Sequence, residues 1–362
     1  MKNTYGSAVT LTLFGESHGP MIGAVLDGLC PGVSVKEDAI RAALDLRRPY
    51  GKISTARHEA DEFSIVSGVF EGKTTGTPLC ILIPNTNVKS GDYEKLRHIA
   101  RPGHADYTAY AKYHGFSDPR GGGHFSGRLT APIVATGAIA GAMLESKGIT
   151  LGTHIARCAG IADRGFCDLA ADLAVLQKKR FAVLDDGAAA AMQNAIERAA
   201  SEGDSVGGVL ETVVLGMPVG VGEPWFDTVE GVLSHALFAV PAVKGVQFGD
   251  GFALCDLRGS EANDAFRMEG GRIVTETNRN GGINGGITNG MPIRFSVAVK
   301  PTPSIFREQE TVDFVQSENT TLTLSGRHDP AIVHRARAVI DAVTALVLVD
   351  LLTGRYGTDW WR

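Results

Sequence analysis

Apolar and polar residues alternate in the first quarter of the chain. The alternation over residues 9–13 predicts a half-buried strand, and a second apolar run over residues 21–29 follows the turn GESHGP. Two such runs joined by a short turn are typical of a β-hairpin. A further strand pair is predicted over residues 62–70 and 77–84, around the turn EGKTTG. We therefore expect antiparallel sheet in this part of the chain.

Helical spacing of apolar residues marks several other segments. Ser34 and Glu37 have the spacing of a capping box, before a helix that is predicted to end near Arg47. Asp227 and Glu230 repeat that spacing. Asp329 stands where the N-cap of the last helix is expected. Further predicted helices cover residues 129–147, 188–200, 229–240 and those after 331, and further strands cover 207–215 and 291–300.

The segment Arg101–Arg128 has neither strand periodicity nor more than one short helical patch of three tyrosines. Long irregular connections inside compact domains are uncommon and are usually functional or disordered. Its run Gly121–Gly123 lets the backbone approach a ligand closely, between the positive charges of Arg120 and Arg128. The segment therefore suits a phosphate or an anionic ring, or else it is a surface turn with solvated charges. Residues 259–290 are also glycine-rich, and we expect them to be irregular.

Composition narrows the class of protein. The chain has 362 residues, 44% of them hydrophobic, which is enough for one large domain or two closely packed ones. A net charge of -5 and a pI near 6.1 argue against a nucleic-acid partner. We find no uncharged window of membrane-spanning length and no signal-peptide pattern, so we expect no membrane association and a cytoplasmic location.

The five cysteines are odd in number, scattered along the chain and never in CxxC spacing. This distribution indicates neither a disulfide framework nor a zinc site. We expect the cysteines to be reduced core residues, and we expect no metal site.

Polar clusters recur at the ends of the predicted strands. They read GESHG, LRRP, RPGHAD, RGGGHFSGR, NGGINGG, KPTPS and GRHDP. Histidines can give protons to a leaving phosphate while arginines hold its oxygens, so together these clusters describe a site for a phosphorylated ligand. They do not by themselves name a reaction.

In these motifs and their order, the chain closely resembles the chorismate synthase family over almost its full length. The resemblance implies an anti-1,4-elimination of phosphate from 5-enolpyruvylshikimate 3-phosphate to give chorismate, with reduced FMN as the cofactor. It also implies an α+β fold, a β-α-β sandwich with a helix layer between two antiparallel sheets, formed by residues 1–362 as a single domain. A homotetramer is implied as well.

The resemblance also implies roles for individual residues. His18 would act as a general acid near the departing phosphate, His104 would balance the charge of the reduced flavin, and Asp329 would manage a proton at flavin N5. The substrate-binding residues would be Arg47, Arg48, Arg101, Arg128 and Arg327. The FMN-binding residues would be His124, Phe125, Ser126, Pro241, Ala242, Gly285, Lys300, Pro301, Thr302, Pro303, Ser304 and Arg327. Arg47 and Lys52 would contact NADPH.

Two positions differ from the common family pattern. His124 and Phe125 stand where many members have arginine and serine, and Lys52 replaces a frequent arginine, losing its planar fork. Two other functions stay open on the same fold. One is a catalytically silent protein that binds a phosphorylated metabolite, and the other is an NADPH-dependent flavin reductase.

Overall fold

A computed structural model describes residues 2–55, 60–86, 97–324, 326 and 328–362. The strands are β1 (Thr4–Tyr5), β2 (Thr10–Gly15), β3 (Met21–Asp27), β4 (Ser64–Ser67), β5 (Val69–Phe70), β6 (Lys73–Thr74), β7 (Leu79–Pro84), β8 (Thr150–Cys158), β9 (Ile161–Ala162), β10 (Gly208–Leu215), β11 (Val243–Phe248), β12 (Phe266–Glu269), β13 (Arg272–Thr275), β14 (Ile283–Asn284), β15 (Ile287–Thr288), β16 (Ile293–Val299), β17 (Gln309–Asp313) and β18 (Glu318–Leu322). The helices are α1 (Glu37–Arg47), α2 (Asp106–Tyr113), α3 (Thr130–Ser146), α4 (Leu169–Leu176), α5 (Asp186–Ser201), α6 (Val229–Phe238), α7 (Gly259–Ala262) and α8 (Val333–Tyr356).

Two five-stranded antiparallel sheets form the outer layers. The first has the strand order β1-β2-β3-β7-β4, and the second has the order β11-β16-β10-β8-β9. Side chains alternate between the two faces of a strand, so every second residue of β7 and β16 is fully buried. Both predicted hairpins of the first sheet are confirmed.

A layer of helices lies between the sheets. Helix α3 contacts β3 and β7 of the first sheet, while α8 contacts β8 and β10 of the second. The two helices also pack on each other so closely that a Cβ atom added to Gly137 would lie 2.3 Å from the Cβ atom of Ala342. One continuous hydrophobic core therefore joins all three layers. The predicted α+β sandwich is confirmed.

The start of β2 is tied to the far end of α8. The carboxylate of Asp350 accepts hydrogen bonds of 2.7 to 3.1 Å from the backbone N–H groups of Ser7, Ala8 and Val9. A carboxylate that accepts several backbone N–H bonds satisfies donors that would otherwise be buried without a partner. This contact closes a loop of more than 340 residues.

The predicted helices are confirmed, but their caps differ from the prediction. Helix α1 begins after Lys36, with no side-chain cap, so the capping box at Ser34 was wrong. Helix α6 is capped by the Thr228 hydroxyl, not by Asp227. Asp329 is not an N-cap either, because α8 begins only at Val333.

Two other expectations need correction. Residues 259–290, predicted to be irregular, contain the hairpins β12–β13 and β14–β15. All five cysteines are free, but Cys167 and Cys255 are exposed rather than in the core. Gly127–Ser146 is long and apolar enough to cross a membrane, but it contains the charges of Arg128 and Glu145, and 72% of its most apolar 18-residue window is buried inside the protein.

Candidate active site

A cavity of about 770 Å³ opens where α1, α3 and α8 meet the loop before β11 and the loop after β16. This volume falls within the range of about 300–1,000 Å³ that is typical of small-molecule and cofactor sites. The predicted site residues that line it are Arg47, His104, His124, Phe125, Ser126, Arg128, Pro241, Ala242, Lys300, Thr302, Pro303, Ser304 and Asp329. Segments that are distant in sequence thus meet in one cavity.

Two buried arginines on the cavity wall share one carboxylate. Arg47 lies at the last turn of α1, and its Nη2 donates to Oδ2 of Asp61 over 2.9 Å. Arg128 contacts the other oxygen, Oδ1, through Nη1. Burial by itself would raise the pKa of the Asp61 carboxyl, but the two guanidiniums outweigh it and hold the pKa below its ordinary value. We call Arg47, Asp61 and Arg128 the clamp.

His104 belongs to a second charged group in the loop before α2. Both oxygens of Asp106 receive hydrogen bonds from the Arg101 guanidinium, at 2.6 and 2.8 Å. The Nδ1 atom of His104 lies 3.0 Å from Oδ1 of Asp106. Burial would raise the pKa of Asp106, but the bonds from Arg101 and His104 keep it well below its usual range. The carboxylate therefore fixes the orientation of the imidazole.

The glycine run packs against two of the predicted catalytic histidines. Gly121, Gly122 and Gly123 all have positive φ, which side chains rarely allow. A Cβ atom at Gly121 would lie 2.4 Å from Nε2 of His18, and one at Gly122 would lie 3.2 Å from Cε1 of His104. The backbone was predicted to approach a ligand here, but its close contacts are the two imidazoles. His18 is buried beside Gly121 and does not line the main cavity.

Asp329 reaches the cavity from the chain that leads into α8. Its Oδ1 accepts a 2.9 Å hydrogen bond from the backbone N–H of Thr55, and its Oδ2 contacts Nη1 of Arg335. Arg335 in turn donates through Nε to the backbone carbonyl of Arg47 over 2.8 Å. This chain of contacts joins the carboxylate to the backbone of the clamp.

The opposite wall is built from the loop before β11 and the loop after β16. Ala242 has a φ of +74°, and its carbonyl accepts from the N–H of Lys300 over 3.0 Å. The Nζ atom of Lys300 donates to the carbonyl of Gly103 over 2.5 Å. His124 holds the carbonyl of Gly15 through Nδ1, at 2.8 Å. The buried Oγ1 of Thr302 has no hydrogen-bond partner among the described residues.

Other predicted residues lie outside this cavity. Arg101 lines a small adjoining pocket instead. Arg48 lies 3.7 Å from Asp45, Lys52 is in an exposed turn, and Gly285 is in the β14–β15 turn. Pro301 is exposed, although its neighbours line the cavity. Arg327 is outside the described residues.

Sequence reasoning missed several polar residues that hold the site together. They are Thr55, Asp61, Asn85, Asp106 and Arg335. Asp106 lies two residues after His104 within RPGHAD, so a carboxylate near that imidazole was open to prediction. Asp61, which follows a loop, carried no comparable signal.

Comparison with known proteins agrees with this geometry. The chorismate synthase family matches residues 9–353. The chain is 44% identical over 350 residues to the chorismate synthase of Thermococcus kodakarensis, covering 97% of both chains. It is 46% identical over 352 residues to that of Aeropyrum pernix, covering 97% of this chain and 93% of the other. A crystal structure of a chorismate synthase matches it with a TM-score of 0.75 and 26% identity, over 98% of this chain and 94% of that one. The chain therefore belongs to the chorismate synthase family, carbon–oxygen lyases that act on phosphates in aromatic amino acid biosynthesis.

Proposed function

We propose that this protein eliminates phosphate from 5-enolpyruvylshikimate 3-phosphate to give chorismate, with reduced FMN bound in the cavity. The observation that carries the proposal is the meeting of the clamp, His104 and Asp329 around one cavity of about 770 Å³. The substrate has two carboxylates and a phosphate, and guanidiniums are suited to both groups because they bind them through paired hydrogen bonds.

The cavity residues fit a flavin phosphate and its ring. Thr302 offers a buried hydroxyl that has no partner among the described residues, and Lys300 brings a positive charge to the same wall. We propose that the walls formed by residues 124–126, 241–242 and 300–304 hold FMN, with contributions from Gly285 and Arg327. When bound, reduced FMN supplies electron density that a side chain alone could not lend to this elimination.

The clamp would hold the anionic groups of the substrate. The side chains of Arg47 and Arg128 are each only 4% exposed, so their attraction for an anion is screened less by water and salt than that of a surface pair. The Asp61 carboxylate fixes the directions of both guanidiniums before the substrate arrives. Less rotational freedom is then lost on binding. Arg48 and Arg101 would add positive charge at the edges of the site.

The proton steps are assigned to three side chains. His18 would donate a proton to the departing phosphate oxygen. His104, oriented by Asp106, would balance negative charge at the flavin side of the cavity. Asp329, held by Thr55 and Arg335, would act as the base that manages a proton at flavin N5.

The test is an anaerobic assay with dithionite-reduced FMN and 5-enolpyruvylshikimate 3-phosphate. We expect chorismate absorbance and inorganic phosphate to rise together, in a one-to-one ratio. Substrate that binds without release of phosphate would indicate a silent binding protein. Oxidation of NADPH without the substrate would indicate a flavin reductase.

Three finer features belong to the same proposal. NADPH would reduce the flavin, with Arg47 and Lys52 as contacts, which NADPH-driven turnover of the substrate would test. The protein would be a homotetramer, which light scattering after size-exclusion chromatography would test. Its location would be the cytoplasm, which cell fractionation would test.

A further inference from the structure

We propose that Asn85 is a positioning residue that couples the His18 turn to the Arg128 guanidinium, so that the acid and the clamp act on the same substrate. This inference rests on the proposed function. Asn85 directly follows β7, where its backbone N–H donates to the carbonyl of Pro20 over 3.1 Å. The side chain therefore starts from the end of a strand that is paired on both sides.

Both N–H donors of the Asn85 amide and one of the two acceptor sites on its oxygen have hydrogen-bond partners. Its Nδ2 donates to the carbonyl of Glu16 over 3.0 Å and to that of Gly19 over 2.8 Å. Its Oδ1 accepts from Nε of Arg128 over 3.1 Å. Two carbonyls can only accept and a guanidinium can only donate, so the amide fits in one orientation only. One side chain thus connects both ends of the His18 turn to the clamp.

The other side of the turn is held independently. The backbone N–H of Ser17 donates to the carbonyl of Gly123 over 3.1 Å, and its hydroxyl donates to the carbonyl of Arg120 over 3.2 Å. The turn Glu16–Gly19 therefore lies between the glycine run and Asn85. Only the Asn85 contact links the turn directly to Arg128 among the contacts described above.

Loss of the NH2 group of Asn85 and loss of its oxygen should have different effects on the site. The N–H donors fix the turn and hence His18, whereas the carbonyl oxygen fixes the Nε edge of Arg128. A shift of about 1 Å in a catalytic group can reduce the rate about 100-fold. Loss of the donors should therefore lower kcat even when an oxygen still faces Arg128.

Three variants separate these halves. Asn85→Asp keeps an oxygen for Arg128 and loses both donors, while Asn85→Leu keeps the shape and loses every hydrogen bond. Asn278→Asp is the matched control, because Asn278 also donates from Nδ2 to a backbone carbonyl, that of Pro292, over 2.8 Å. In the anaerobic assay we expect kcat of Asn85→Asp and Asn85→Leu to fall at least about tenfold. The control should stay within about twofold of wild type.

A double-mutant cycle tests the coupling itself. If Asn85 acts through His18, Asn85→Asp should lower kcat much less in a His18→Ala background than in wild type. A merely structural role would give the same loss in both backgrounds. Should Asn85→Leu fail to fold, as thermal unfolding would reveal, Asn85→Asp still decides the question.

A measurement without substrate separates this inference from the proposed reaction. With labelled histidine in a deuterated sample, the NMR resonances of the His18 ring should move in Asn85→Asp and stay in place in Asn278→Asp. If wild type does not release phosphate but the resonances move, the reaction is wrong and the positioning role stands. If wild type is active while Asn85→Asp keeps both its kcat and the His18 resonances, the positioning role is wrong.

Discussion

Two buried ionic clusters in this molecule differ in what surrounds them. The clamp lies between α1 and α3, and its guanidiniums form part of the cavity wall. The other cluster lies on the outer face of the second sheet, on the strands β8 and β10. Both contain carboxylates with little or no exposure, so burial alone does not distinguish them.

The second cluster is enclosed by protein on every side of its histidine. The Nδ1 atom of His154 lies 2.8 Å from Asp163, and its Nε2 atom lies 2.9 Å from Glu211. Asp163 also accepts from the backbone N–H of Leu184 over 2.6 Å, and the ring of Phe166 packs edge-on against the imidazole. We call His154, Asp163 and Glu211 the histidine cluster.

The two clusters differ in what their charged and polar groups face. In the histidine cluster both ring nitrogens face protein carboxylates, so neither nitrogen is left to meet a ligand. In the clamp a single carboxylate divides its oxygens between two guanidiniums that line a space large enough for a cofactor. A buried ion pair therefore indicates a functional site only when it also borders a cavity.

The largest expected effect separates the histidines of the two regions. His104→Ala and His18→Ala should each lower the rate of phosphate release by roughly 100- to 10,000-fold, because a general acid and a group that balances developing charge each contribute about that much. FMN binding, followed by flavin fluorescence, should stay close to wild type. His154→Gln is the control and should retain turnover. Near-normal turnover in either the His18→Ala or the His104→Ala variant would show that the role of that histidine is misassigned.

The next effect compares two buried carboxylates. Asp61→Asn should lower the free energy of unfolding by about 3–5 kcal/mol, because it leaves two buried guanidiniums without their counter-charge. Asp163→Asn should lower it by about 1–3 kcal/mol, because it disturbs the buried hydrogen bonds to His154 and to the backbone N–H of Leu184. Only Asp61→Asn should also raise KM for the substrate, because the guanidiniums of Arg47 and Arg128 then lose their fixed directions. Urea unfolding and steady-state kinetics measure the two quantities. Equal KM values in the two variants would show that the clamp is no more involved in substrate binding than the histidine cluster.

A smaller effect concerns pH and His334, a fully buried residue on α8 whose Nε2 lies 2.7 Å from the hydroxyl of Ser54. Burial, reinforced by the charges of Arg335 and Arg180, lowers the pKa of His334 to about 3. The unfolded chain therefore binds a proton that the folded one does not. Stability should be complete above about pH 6.5 and fall toward pH 3, by at most about 1.4 kcal/mol per pH unit.

Unfolding measured between about pH 4.5 and 6.5 checks this sign. The His334→Gln variant should show a shallower loss of stability with acid than wild type over that range. A slope identical to that of wild type would mean that His334 does not titrate in this way.

The smallest effect is that of salt. Raising the ionic strength from about 0.05 to 0.5 M should increase KM for the substrate a few-fold, because the binding is ionic but the clamp is largely buried. The loss of unfolding free energy in Asp163→Asn should change little with salt, because the side chains of His154 and Asp163 are fully buried. A KM indifferent to salt would argue against an ionic clamp.

Much of the fold followed from residue patterns. Period-two alternation predicted β2, an apolar run predicted β3, and helical spacing predicted α1 and α6. Alternation and helical spacing are informative because both depend on which face is buried. Helix caps were less predictable. Ser34 and Asp329 have side chains that suit an N-cap, but α1 begins at Glu37 and α8 begins at Val333. The hairpins in residues 259–290 escaped detection because glycines interrupt their short strands.

The site was predictable only in part. Motifs and family resemblance predicted His104, Arg47 and Arg128, which do line one cavity. Asp61 and Asn85 could not be found, because each acts through a contact with Arg128, which lies more than 40 positions away in the sequence. Such contacts depend on how the layers pack, which no local pattern records.

Helix α8 follows every strand of both sheets in the chain, and Asp350 on it anchors the residues before β2. During synthesis the inner face of the second sheet therefore lacks its helix partner until residues 333–356 emerge. A nascent chain must keep that apolar surface exposed for most of its translation, a condition that favours chaperone binding. A chain truncated before residue 333 should be cleaved by protease at sites that the full-length protein protects.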